Sequence, residues 1–200
     1  MKPLRGIVAI LRGVRPDEVL DIAAALRDGG VGIIEVPLNS PAPLRSIELL
    51  ARDFGQDLLI GAGTVLTPAE AEAVARAGGQ LIVSPNIDAS VVRRTRELGL
   101  LSMPGVATPT EGFAGLAAGA DALKLFPAEL LTPPIMKAWR AAFPKNAAMF
   151  AVDGVSVANV AAWKAAGAAG VGVGSALYQP GRTAAEIAPL ARALTEAWAA

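Results

Sequence analysis

The sequence predicts an α/β fold, a (β/α)8 TIM barrel formed by a single domain over residues 1–200, and three observations carry that prediction. Short apolar runs alternate with amphipathic helical patterns about eight times. The runs are too apolar for a one-sided sheet and match parallel strands buried on both faces. Most runs are followed by a helix-start signal, and several helices close on glycine before the next strand. A doubly wound open sheet is the alternative. At 200 residues the chain is short for a barrel, so its loops must be short.

In chain order, the strand candidates fall at 7–11, 33–36, 58–61, 81–83, 100–103, 122–125, 149–152 and 169–173. Cap-type residues or prolines stand where first helical turns would begin. They are Pro16-Asp17-Glu18, Ser40-Pro41, Thr67-Pro68, Asp88, Thr108-Pro109, Thr132-Pro133 and Ser156. Gly29-Gly30, Gly78-Gly79, Gly99, Gly119 and Gly167 occupy helix-closing positions. Trp139, Trp163 and Trp198 lie in helix-patterned segments, where packing is the expected role. Tyr178 follows the Gly174-Ser175 loop, where packing is the expected role and a hydroxyl contribution to the loop the alternative.

Composition narrows the chemistry. The chain has no histidine and no cysteine, which excludes His-based acid–base catalysis, a thiolate nucleophile, a disulfide and a zinc site of the usual ligands. Lys plus Arg and Asp plus Glu are each 18, a balance that argues against nucleic-acid or membrane-surface partners and for a small molecule. The N-terminal Met1-Lys2-Pro3-Leu4-Arg5 runs into a strand-like stretch without the apolar region of a signal peptide, and no run is long and apolar enough to span a membrane. A cytoplasmic location is expected.

In a barrel of this kind the chemistry lies at the C-terminal ends of the strands. Lys124 interrupts the apolar run Ala122-Leu123-Lys124-Leu125-Phe126-Pro127, so its ammonium must enter the lumen or a cleft. Desolvation favours the neutral amine, a nucleophile toward carbonyl carbon and the first requirement for Schiff-base chemistry. Glu35, in Ile33-Ile34-Glu35-Val36-Pro37, is the second ionisable group in an apolar run. The two form either a base and a nucleophile in one cavity or a structural ion pair between strands. Arg12, just after the first strand, is either a strand-end surface residue or a guanidinium turned toward an anionic substrate group, and its place at a strand terminus suits the second. Asn39 follows the second strand, Thr64 ends Gly61-Ala62-Gly63-Thr64, and Asp153-Gly154 with Gly174-Ser175 provide two halves of a phosphate cradle.

Taken in order, Ile10-Leu11-Arg12-Gly13, Glu35-Val36-Pro37-Leu38-Asn39-Ser40, Gly61-Ala62-Gly63-Thr64-Val65, Ser84-Pro85-Asn86, Met103-Pro104-Gly105, Lys124-Leu125-Phe126-Pro127 and Gly174-Ser175 resemble the family of 2-keto-3-deoxy-6-phosphogluconate and 2-keto-3-deoxy-6-phosphogalactonate aldolases. The resemblance spans nearly the whole chain. It implies a homotrimeric class I aldolase without metal or other cofactor, with Lys124 as the Schiff-base lysine and Glu35 as the general acid/base. It also implies that Arg12 and Thr64 bind anionic or keto-acid groups and that Gly154 and Ser175 hold the phosphate of a phosphorylated keto sugar acid. Pro37, Asn39 and Val152 resemble the galactonate branch, in which Val152 would stand where the gluconate enzymes carry threonine. Asp153 departs from the pattern by replacing the first glycine of a Gly-Gly pair, where a carboxylate would repel a phosphate dianion and restrict the backbone. A barrel phosphosugar epimerase, and a non-catalytic binding barrel, are the competing readings.

Overall fold

A computed structural model describes residues 4–200; residues 1–3, part of the N-terminal reading above, lie outside the described residues. The strands are β1 (Gly6–Ile10), β2 (Ile33–Pro37), β3 (Leu59–Gly63), β4 (Leu81–Val83), β5 (Leu101–Met103), β6 (Gly105–Val106), β7 (Ala122–Leu125), β8 (Ala148–Val152) and β9 (Gly170–Val173). All their pairings are parallel, in the order β5-β4-β3-β2-β1-β9-β8-β7-β6. The two ends of that order are consecutive in the chain, so the ring closes through Pro104 as a (β/α)8 barrel and not as an open sheet.

The sequence predicts one strand over 100–103 where the structure has two short ones. Pro104 lacks an N–H and breaks the ladder, β5 pairing with β4 and β6 with β7, while its carbonyl accepts from the Lys124 N–H at 2.9 Å.

Helices close the outer layer. Thr67, Thr108 and Thr183 each cap a helix through a reciprocal box with the glutamate three residues on. Asp88 accepts from the Ser90 and Val91 N–H groups. Ser40 does not cap: the second helix, Pro43–Phe54, begins three residues later, and the Ser40 hydroxyl instead accepts from the Gly13 N–H at 2.9 Å. Nor does Ser156, since the helix Val160–Ala165 begins after Asn159. Thr132 precedes its helix without a side-chain cap bond.

Two apolar clusters divide the interior by strand alternation. Ile7, Ala9, Ile34, Ile60, Ile82, Leu123 and Val171 face the helices, with Trp139 and Trp163 buried among them and Trp198 packed against them. Val8, Ile10, Ile33, Leu59, Leu81, Leu101, Phe150 and Val152 fill the lumen. The inward positions of β9 are Gly170 and Gly172. A Cβ at Gly170 would lie 2.3 Å from the Phe150 ring, and one at Gly172 would lie 2.9 Å from Val152, so the missing side chains leave room for large neighbours. The packed lumen thus acts as a floor, and the inward positions that follow its residues Ile33 and Ala122 on their own strands become the site.

Candidate active site

Glu35 and Lys124 occupy those positions. Glu35 follows Ile33 on the inward face of β2 and is 2% exposed; Lys124 follows Ala122 on β7 and is 5% exposed. Both line a cavity of about 250 Å³ at the mouth, with Arg12, Asp153, Ser175 and Tyr178 as its other charged or hydroxyl-bearing wall residues and Ile10, Phe126 and Val152 on its apolar wall. The Glu35 carboxylate has room because β3 ends in Gly63, where a Cβ would lie 2.6 Å from Oε1.

Burial controls the electrostatics. Desolvation raises the Glu35 carboxyl above the usual carboxylate range, against the opposing attraction of the Lys124 and Arg12 cations. Desolvation likewise lowers the Lys124 ammonium; Glu35 works against that shift, Arg12 adds to it and Asp153 opposes it weakly. The result is a nucleophile nearer its neutral form beside an acid nearer its protonated form. Among the described residues the two make no direct ion pair. Lys124 Nζ instead stands over the face of Phe126, 4.5 Å from the ring centroid.

Arg12 extends over the mouth from the end of β1, its guanidinium donating to Asn39 Oδ1 at 2.8 Å. Asn39 therefore reaches the site through Arg12. Pro180 packs on Gly13, and the buried Tyr178 donates its hydroxyl to Glu18 Oε1 at 3.1 Å, which ties the loop after β9 to the loop after β1. Burial first, then Glu18, raises the Tyr178 phenol far above its ordinary range.

The two halves of the expected anion cradle meet beside this cavity. A smaller pocket of about 230 Å³ is walled by Glu129, Asp153, Gly154, Ser156, Ser175 and Ala176. Leu177 and Tyr178 both donate to the Gly174 carbonyl at 2.9 Å, so the Ser175 and Ala176 N–H groups open that turn and are available to a ligand. Asp153 keeps a left-handed backbone, φ 84°, beside Gly154 at φ 67°, and its side chain is exposed. The cradle thus retains a glycine-like path with a solvated carboxylate above it.

Thr64 is the expected site residue that the fold holds back. It follows β3 at φ 57°, half-buried beside Gly63, and does not line the main cavity. Phe126, Ile10 and Gln179 line the cavity without having been singled out from sequence. Phe126 was accessible to the strand period, because it lies two residues after Lys124 and so shares its face.

A family profile described as KDPG and KHG aldolase matches residues 2–190. The chain is 46% identical to the 2-dehydro-3-deoxy-6-phosphogalactonate aldolase of Escherichia coli (strain K12) over 192 residues, 96% of this chain and 94% of that protein. A solved structure titled "Native KDPGal structure" superposes with a TM-score of 0.97 at 45% identity, covering 100% of this chain and 97% of that one. A cube-shaped protein cage designed by fusing symmetric oligomeric domains matches with a TM-score of 0.96 at 45% identity, over 98% of this chain and 73% of the cage chain.

Proposed function

The chain belongs to the KDPG and KHG aldolase family, and on that premise we propose that it cleaves 2-dehydro-3-deoxy-6-phosphogalactonate to pyruvate and D-glyceraldehyde 3-phosphate. The observation that carries the proposal is the buried, separated Lys124/Glu35 pair, each displaced toward its neutral form in one cavity at the barrel mouth. Neutral Lys124 attacks the C2 ketone to give a carbinolamine. Glu35 delivers a proton to the departing hydroxyl, and water leaves as the C2=Nζ iminium forms. The Glu35 carboxylate then takes the proton of the C4 hydroxyl, the C3–C4 electrons pass into the iminium, and the aldehyde departs from a neutral enamine. Protonation at C3 and addition of water at C2 release pyruvate and regenerate the lysine.

In this reading Arg12, steadied by Asn39, receives an anionic substrate group, while the N–H groups at Gly154 and Ser175 receive the phosphate. Val152, on the apolar wall, would favour the galactonate configuration at C4. Residues 1–200 act as one catalytic domain that assembles as a homotrimer in the cytoplasm. The match to a cage component supports self-assembly, and no helix of the described residues is long and apolar enough to cross a membrane.

Pyruvate release from the phosphorylated substrate, its C4 epimer and the unphosphorylated sugar acid, coupled to lactate dehydrogenase, tests the proposal. The phosphogalactonate compound should have the highest kcat/KM. A preference for the unphosphorylated compound would identify Asp153 as repelling the phosphate, and no pyruvate from any of the three would overturn the assignment.

A further inference from the structure

Every class I imine leaves a positive charge on nitrogen, and here that nitrogen is buried. Lys124 is 5% exposed, so water cannot solvate the cation as it would at a surface. Glu35 cannot serve as a fixed counter-ion, because the aldolase reading requires it to take up and release protons through the cycle. Arg12 carries the wrong charge, and Asp153 is solvated at the rim. The group against Nζ is the Phe126 ring face, at 4.5 Å from its centroid. The ring is held there: its backbone N–H donates to the Val106 carbonyl at 3.2 Å, and the side chain packs on the lumen cluster.

We propose that the face of Phe126 is the counter-charge of the reacting nitrogen, stabilising the Lys124 iminium through its quadrupole. An aromatic face suits this position for chemical reasons. It attracts a cation, yet it cannot remove the iminium proton and cannot attack the electrophilic C2 carbon, whereas a carboxylate in the same place would compete for the proton that Glu35 must handle. The attraction acts on the iminium and vanishes in the neutral enamine. It therefore governs how much imine accumulates more than how fast the C3–C4 bond breaks.

The inference rests on the imine reading of Lys124, and the test separates the two. Phe126 is replaced site-specifically by 4-fluoro-, 3,5-difluoro- and 3,4,5-trifluorophenylalanine, which withdraw electron density from the face with little change of shape. Each protein is titrated with pyruvate, trapped with borohydride and quantified by mass at Lys124. The pyruvate concentration for half-maximal trapping should rise with each fluorine, reaching about tenfold in the trifluoro protein, the order expected for a desolvated cation–π contact. KM for the sugar acid should rise in parallel, and kcat should change less. A half-trapping concentration constant within twofold across the series would overturn the role of Phe126 while leaving the imine intact. Absence of an adduct in the unsubstituted protein would overturn both.

Discussion

At the scale of single residues, the site depends as much on the side chains that are missing as on those that react. Gly63 is the clearest case, because the atom a Cβ would displace is a carboxylate oxygen of Glu35 and not backbone. The end of a glutamate side chain moves cheaply, and Gly63 does not need a left-handed backbone. Gly63→Ala is therefore expected to fold with a stability loss of about 1 kcal/mol or less, yet to lower kcat by about 100-fold, since a base misplaced by an ångström loses most of its advantage. Denaturant midpoints beside steady-state rates check this; a variant that loses its fold and its activity together would show that Gly63 is a packing glycine only. Asp153 is the converse, a side chain present where glycine would be easier. Its φ of 84° is strained for an L-residue, and its exposed carboxylate is screened by water.

At the scale of elements, β9 makes the same argument along a whole strand. Its inward positions are both glycine, and the two should respond differently to one substitution. A Cβ at Gly170 meets the Gly6 carbonyl at 2.2 Å as well as the Phe150 ring, neither of which can yield, so Gly170→Ala is expected to destabilise by about 2–3 kcal/mol. At Gly172 the obstacle is the end of Val152, which lines the cavity. Gly172→Ala should lose less stability and instead change the ratio of rates on the two C4 epimers. Equal effects of the two variants on melting, with no change in epimer ratio, would contradict the division of the lumen into floor and wall. The strand positions themselves were legible, because apolar runs, threonine caps with a glutamate three residues later and closing glycines are local signals. The break at Pro104 was visible as a residue but not as a consequence, since closing the ring through it depends on which strands flank it. Lys124 and Glu35 were legible for a related reason: a charge inside an apolar run has few places to go. Phe126 follows from Lys124 by the strand period, but the Arg12–Asn39 bond was not legible, because it joins the ends of two different strands and leaves no local pattern.

At the scale of the whole molecule, the buried pair sets a conflict between stability and chemistry that pH should expose. The folded-state pKa of Glu35 is raised, so its contribution to stability is fully present below the unfolded value of about 4.5 and is lost as pH rises through the folded one. Lys124 has the opposite sign. Its folded-state pKa is lowered, so its contribution is fully present above about 10.5 and is lost as pH falls through the folded value. Substituting each group removes its own slope. Glu35→Gln should melt higher relative to the parent at pH 9 than at pH 5, and Lys124→Met should show the reverse, with both variants inactive or nearly so. For a chain of this size each kcal/mol corresponds to about 2–4 °C in Tm, so opposing differences of a few degrees are measurable by calorimetry over that range. Parallel or flat differences would mean that the fold does not hold these groups away from their ordinary ionisation. Opposed slopes would show that the same desolvation that frees the amine to attack and protonates the acid beside it is a standing load on the barrel. The packed lumen floor and closed ring carry that load, because they exclude the water that would relieve it.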